Sequence, residues 1–337
     1  MDMQSNVLKQ NMLDCFQNIF QAVLKRRTQR AAQPDNPDRV PPAELMHLAH
    51  YTTAEGLHGI VEQGCLRAGA AYYLNDSSEI DYGCNLFTSI LKESIGKTKM
   101  DDMGAAIVQH TQKAFEPSGS MESVASRTYV ACFCEDPNLL SQWRAYGQDG
   151  GYSVGFRRQA LQTEFKVEDQ LFQVELRRII YDKESQIKLL DGVLSDVLSA
   201  LGEPEVKASF EKLDGEEKKV FFISFNMFLQ ATALAEIVRF KHPAFTDEQE
   251  WRLVARPKSP FLSQGEILQL KFRPSRGMVV PYLELRPKNG DLLPIDYVRY
   301  GPTLEKKRAE NSLDLLFKQK GYPEVKFYGS DIPVILP

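Results

Sequence analysis

Apolar residues between positions 6 and 30 (Val7, Leu8, Met12, Leu13, Phe16, Ile19, Phe20, Val23, Leu24) recur three and four apart, which predicts an amphipathic helix. It ends in Lys25-Arg26-Arg27, a composition that suits the negative end of a helix dipole. Residues 31–42 lose the pattern and gather Pro, Asp and Asn, as a linker does. A compact region starts near Leu45 with a short strand at Leu48–Tyr51. Thr53 offers an N-cap hydroxyl to a helix over Ala54–Glu62, and Gly64 ends it. Cys65–Arg67 reads as a strand. Asn75-Asp76-Ser77-Ser78 is turn chemistry, with Ser77 or Ser78 capping a helix over 79–95, and another helix covers about 100–115.

From Thr128 the pattern turns to β, with strands at Tyr129–Phe133, Tyr152–Phe156 and Gln173–Tyr181 around a short helix at Asn138–Tyr146. Residues 183–240 read as helical, broken near Gly202–Pro204, with Phe221, Phe222, Phe225 and Phe228 on one stripe. Strands return at Trp251–Ala255, Leu268–Phe272, Met278–Pro281 and Ile295–Tyr300, then a helix over 304–319 and a strand at Val325–Phe327. The plan is an N-terminal helix and linker over 1–42 and an α+β domain over 43–337, with a helical insertion at 183–245.

Hydrophobic content of 43% and charged content of 26% are those of a globular chain of 337 residues, enough for a large core. A net charge of −4 argues against a broad nucleic-acid surface and leaves room for a local basic patch. No stretch reads as apolar over the length of a membrane span, and Met1–Ser5 lacks the basic start of a signal peptide. The five cysteines include no CxxC pair, so free thiols in a reducing cytoplasm and no metal site are expected.

Candidate chemistry gathers in two segments about two hundred residues apart. His50-Tyr51-Thr52-Thr53 ends a strand, and an aromatic pair, Tyr72-Tyr73, precedes the polar turn. A strand-end histidine can bond a ribose hydroxyl through one ring nitrogen while the protein holds the other. The second segment, Glu248-Gln249-Glu250-Trp251-Arg252, sets two carboxylates at the head of a strand. In an extended chain both point the same way. The bland alternative is an acidic turn. In Gln142-Trp143-Arg144-Ala145-Tyr146-Gly147, Arg144 can meet a pyrophosphate, or Trp143 and Tyr146 can pack inward while Arg144 pairs with Glu135 or Asp136. Asn75 and Asp76 can line a pocket or make an Asx-turn.

The run from His50 to Ala68 resembles the opening of the ADP-ribosyltransferase fold, and Tyr72–Tyr82 is similar, more weakly, to the poly-ADP-ribose polymerase segment whose tyrosines sandwich nicotinamide. The chain over about 45–335 also resembles a bacterial family of unknown function, through Asn75-Asp76-x-x-Glu79, Cys132–Asp136, Gln142–Gly147 and Glu250–Leu253. The first resemblance implies a split, mostly antiparallel sheet of ADP-ribosyltransferase type, and NAD as substrate without a metal. His50, Tyr51, Thr52, Tyr72 or Tyr73, Tyr82, Asn75, Asp76, Trp143, Arg144 and Tyr146 then belong to the NAD pocket. Glu250 would stabilise the positively charged ribose and Glu248 would serve the acceptor. The usual Ser-Thr-Ser strand is replaced by Ala131-Cys132-Phe133-Cys134, which leaves a nicotinamide-side hydroxyl unassigned. The implied activity is ADP-ribosyl transfer to a protein or nucleic acid, or NAD hydrolysis, in the setting of a bacterial toxin or antiphage effector. The alternative is a nucleotide- or nucleic-acid-binding sensor module without NAD turnover. A nuclease on the same scaffold is a third reading, disfavoured by the lack of an acidic metal cluster. Glu250→Gln is expected to abolish turnover and leave folding intact.

Overall fold

The computed structural model describes residues 3–31, 45–74, 78–97, 125, 127–147, 150–168, 171–259, 267, 270–275 and 277–333. Asn75, Asp76, Ser77 and the helix expected over 100–115 lie outside them. Turn and cap residues set the first half of the domain. Thr53 caps α2 (Ala54–Gln63) by accepting from the Gly56 amide at 3.2 Å, and Gly64 closes it in a left-handed conformation at φ 58°. The helix therefore joins two parallel strands, β1 (His47–Thr52) and β2 (Leu66–Ala70), which both run antiparallel to β3 (Tyr129–Cys134).

β3 organises the sheet. One edge pairs with β7 (Glu250–Pro257) from Tyr129↔Ala255 to Cys134↔Glu250. The other edge is shared: β2 pairs with Tyr129 and Val130, and β1 with Cys134. Among the described strands, Ala131, Cys132 and Phe133 are paired only with β7, so β1 and β2 form a fork along that edge. Outward from β1 lie β4 (Tyr152–Arg157), β10 (Ile295–Tyr300) and β11 (Lys326–Gly329). Beyond β2 lie β9 (Met278–Pro287), with β5 (Phe165–Lys166) and β8 (Lys271–Ser275) beside it, and β6 (Phe172–Arg178) flanks β7. Only β10 and β11 are parallel neighbours among these pairs, so the sheet is mixed with helices and mostly antiparallel.

Opposed residues share a face of a sheet and neighbours alternate. Leu48, Phe133, Trp251 and Leu253 fall on one face, where they form a core with Leu57, Ile60 and Val61 of α2 and with Leu313 and Phe317 of the C-terminal helix α9 (Lys306–Gln319). Ala49, Cys134, Glu250 and Arg252 fall on the other. A helical group has its own core, drawn from α1 (Met3–Ala31), α3 (Ser78–Lys97) and the expected insertion, α6 (Lys183–Leu201), α7 (Pro204–Glu211) and α8 (Gly215–Ile237). Asp214 and Glu217 form a reciprocal capping box that starts α8. Phe221, Phe225 and Phe228 are buried in the helical core and Phe222 is partly buried against it. The α1 residues Cys15, Ile19, Ala22 and Val23 are buried there too, against helices almost two hundred positions on.

Several boundaries differ from the sequence expectation. The strand expected at 278–281 continues to Pro287, because Pro281 lies one residue outside the β2 register and its missing N–H removes no bond on that edge. The short helices α4 (Leu140–Tyr146) and α5 (Arg158–Thr163) complete the α-helices among the described residues, and α5 carries no periodic signal long enough to read. The expectation of no span-length apolar stretch needs correcting, since α8 is long and apolar enough by composition to cross a membrane; most of its apolar window is buried against neighbouring helices, as in a core helix.

Because Phe225 is buried in the helical core, Phe225→Ala should cost about 3–5 kcal/mol of unfolding free energy in urea. Ile223→Ala on the exposed side of the same helix should change it by less than about 0.5 kcal/mol. Equal effects would contradict the assignment of that face.

Candidate functional site

Five charged side chains, one from the start of α3 and four from the stretch 241–252, meet on the helix-side face of β7. Glu79 stands in the first turn of α3, where a carboxylate also suits the positive end of the dipole. Lys241 follows the end of α8, and Glu248 closes a 3-10 turn over Pro243–Glu248. Glu250 and Arg252 come from β7 and sit beside Cys132 of β3. Arg252 donates from Nε to Glu250 Oε1 at 2.7 Å and from Nη2 to Glu250 Oε2 at 3.1 Å. The same Nη2 donates to Glu79 Oε2 at 2.7 Å, and Nη1 donates to the Val238 carbonyl at the end of α8 at 2.7 Å. Lys241 Nζ reaches Glu248 at 2.5 Å, Glu250 at 3.1 Å and Glu79 at 3.3 Å. Three carboxylates thus share two cations. Glu79, Glu250 and Arg252 are almost wholly buried, and Glu248 is a quarter exposed and forms the solvent side.

The backbone between the two glutamates is not extended, as the spacing argument assumed. Gln249 sits in the left-handed region at φ 44°, the one described non-glycine residue with positive φ. That conformation costs a residue with a side chain roughly 1–2 kcal/mol. It turns the chain so that Glu248 and Glu250 reach the same lysine, and it is held by flanking bonds: the Gln249 carbonyl accepts from the Glu135 amide, Cys134 Sγ from the strand side donates to the Glu248 carbonyl, and the Glu250 amide donates to the Tyr181 hydroxyl.

The charges of the cluster are fixed by one another. Burial alone would raise the Glu250 pKa, but Arg252 and then Lys241 outweigh it and hold it down to about 2. Burial would likewise lower Lys241, and Glu250 and Glu79 drive it upward instead. Cys132 is pushed well up by burial and by Glu250, so its thiol is neutral. The cluster therefore presents an ionised carboxylate at neutral pH and no neutral acid at Glu250.

The remaining residues expected in the site are dispersed. His50 stands in the fork between β1 and β2, where its neutral ring donates from Nδ1 to the Cys132 carbonyl at 2.8 Å and leaves Nε2 as an acceptor. Burial, and then the charge of Arg273, keeps the imidazole below its ordinary pKa. The register puts His50 in the row of Phe133 and Trp251, on the face opposite Glu250 and two strands away, roughly 10 Å at the usual strand spacing. Thr52 lies two residues further along β1, opposite Tyr152. Tyr72 and Tyr73 follow β2, exposed and packed edge to face at 5.5 Å. They lie beyond the row of Tyr129, four residues along β3 from the row of Phe133 and so roughly 13 Å away at the rise of a strand.

Tyr82 is tied to the helical layer: its hydroxyl donates to Gln186 Oε1 at 2.7 Å and its ring lies near His242. Tyr51 is structural, its hydroxyl donating to the Asp136 carbonyl and accepting from the Leu139 amide, with its ring against Trp143 at 4.9 Å. Of the pair expected to share a helix face, Trp143 is buried and Tyr146 is exposed. Arg144 is exposed as well, and Glu135, one of its expected partners, instead accepts from Arg178 and from Trp251 Nε1. Lys241 was not anticipated; it lies outside any motif, in a loop. Arg252 carried a readable signal, a charge inside an apolar strand, which demands a buried counter-charge. No group of three or more potential metal ligands is found among the described residues.

With this geometry in view, residues 142–253 match a family described as a protein of unknown function, DUF2971. The match starts at Gln142 in α4 and ends in β7, taking in the Gln142–Gly147 and Glu250–Leu253 segments; it covers less than half of the chain, and the chain is similar to the family over that stretch. No curated protein and no solved structure matches. These comparisons show no likeness to ADP-ribosyltransferases.

The depressed pKa of Glu250 sets a pH dependence. A carboxylate held at about 2 in the folded state against 4.5 otherwise contributes stability above about pH 4.5 and loses it as pH falls toward 2, on the order of 3 kcal/mol in all. Urea unfolding at pH 6, 4 and 3 should show Glu250→Gln less acid-sensitive than wild type, though less stable at pH 6 because its amide meets two cationic donors. Parallel profiles would contradict the ion-paired state.

Proposed function

We propose that the chain binds a nicotinamide dinucleotide across the fork and breaks its nicotinamide–ribose bond, passing ADP-ribose to a protein or nucleic acid, or to water. The observation that carries this reading is Glu250, ionised at neutral pH beside Arg252 and Lys241, with Glu248 on the same lysine at the solvent side. Departure of nicotinamide takes the electron pair of the carbon–nitrogen bond and leaves positive charge on the ribose. A fixed carboxylate lowers the energy of that state, whereas a protonated acid does not. The acceptor oxygen or nitrogen then bonds the ribose carbon and gives its proton to Glu248. A ligand threaded through the fork is the arrangement in which His50 Nε2 and Glu250 serve one dinucleotide from opposite faces. The exposed, edge-to-face Tyr72 and Tyr73 offer an aromatic surface to its base.

A second reading has its own observation. Both oxygens of Glu250 already accept from Arg252 or Lys241. A carboxylate committed to those bonds suits a module that binds a nucleotide without turning it over.

Incubation with NAD labelled in the adenylate and in the nicotinamide, alone and with cell lysate, separates the two. The catalytic reading expects nicotinamide release by the wild type and a fall on the order of a hundredfold in Glu250→Gln, checked for folding by its thermal transition. Glu248→Gln should keep nicotinamide release and lose label transfer. Binding of NAD with no release by any variant would favour the binding module, and neither binding nor release would overturn both.

A further inference from the structure

Beside the Glu250 cluster, on the same face of the sheet, a cavity of about 560 Å³ opens between α1, α6, α8 and the strands β6 and β7. Its position follows from register: Gln173, Glu175 and Arg177 of β6 stand opposite Arg256, Val254 and Arg252 of β7. The end of α8 separates it from the first cluster.

The charge of its lining is unbalanced. Five arginines (Arg27, Arg30, Arg177, Arg239, Arg256) and two lysines (Lys188, Lys258) face three carboxylates (Glu175, Asp196, Glu236), an excess of four positive charges in a chain whose net charge is −4. Glu236 alone accepts from Arg27 at 2.7 Å, Arg177 at 3.1 Å and Arg239 at 3.2 Å. Arg256 faces the Gln173 amide and has Glu175 at 3.4 Å. Docking of α1 accounts for Arg27 on Glu236 and Arg30 on Asp196, but not for Arg177, Arg239 and Arg256 converging from other elements. Burial lowers the pKa of Arg256 from the ordinary arginine value; the nearby Glu175 opposes that, and Arg27 and Arg177 add to it.

The lining also carries apolar side chains, Phe20, Leu24, Val193 and Phe228 among them. The volume lies within the range of small-molecule sites and is too small for a polymer. A monocarboxylate would leave most of the positive excess in place. We propose that this cavity binds a small organic phosphate carrying two or more negative charges, with the phosphates on the arginines and an apolar body against the α1 and α8 side chains. The proposal does not depend on NAD chemistry at Glu250.

Isothermal titration calorimetry on the full chain tests it with two probes that share a diphosphate head, ADP with an aromatic body and geranyl diphosphate with an aliphatic one, beside adenosine and inorganic phosphate. At least one diphosphate should bind one to one, more tightly than either control. Arg256→Gln should weaken it tenfold or more, and Lys258→Gln, at the exposed rim, several-fold with an unchanged thermal transition. Amide exchange should slow in residues 20–28 and 228–239 when the probe is bound. Absence of binding by both diphosphates would overturn the proposal. So would binding indifferent to both variants, or protection confined to the β1–β2 fork, which would place the probe at the first site.

Discussion

Arg252 holds three elements of this fold, one strand of the sheet and two helices packed on it, in register. Its guanidinium is buried and donates to Glu250 on its own strand, to Glu79 at the start of α3 and to the Val238 carbonyl at the end of α8. The planar fork of an arginine suits such divergent acceptors, and a lysine does not. The desolvation of a buried guanidinium is repaid only where its donors are met, so the layers are constrained to one arrangement. Lys241 completes the set, so that it and Arg252 balance two of the three negative charges brought by Glu79, Glu250 and the partly exposed Glu248. The cost of losing one member falls on those left behind, which is why the site and the stability of the fold share the same residues.

The left-handed Gln249 belongs to the same constraint. Strain of this kind persists where surrounding bonds over-determine it, and it gathers at functional sites. Here it sets Glu248 toward solvent and Glu250 inward from one short turn. Arg177 stands opposite Arg252 in the β6–β7 ladder and pairs with Glu236. The end of α8 thus lies between two charged groups, one rich in carboxylates and one rich in arginines, and a ligand on either side bears on the helix that both grip.

Local chemistry was the legible part of the sequence. The Thr53 cap, the Gly64 stop, the break before Pro204 and the phenylalanine stripe of α8 each depend on neighbours within a few residues, and each stands in the structure. The meeting of Glu248 and Glu250 was readable, although by a turned backbone and not an extended one. What could not be read depends on pairing across long separations. The sidedness of His50 against Glu250 follows from the β1–β3–β7 register, which a single residue of slip would reverse. Tyr82 looked like a pocket aromatic because its partner Gln186 lies 104 positions away. Lys241 has two of its carboxylates only seven and nine residues on, but it sits in a loop with no motif, and its third partner, Glu79, is far away in the chain.

The central claim is that Glu79 and Arg252 are energetically one unit across the sheet and helix layers. A double-mutant cycle on unfolding free energy at pH 7, built from Glu79→Gln, Arg252→Gln and the double variant, measures it. The account predicts a coupling on the order of 2 kcal/mol or more, with the double variant more stable than the sum of the single losses implies, because each single change strands a buried charge. Single losses that add to within about 0.5 kcal/mol would show the two residues to be independent and would contradict it.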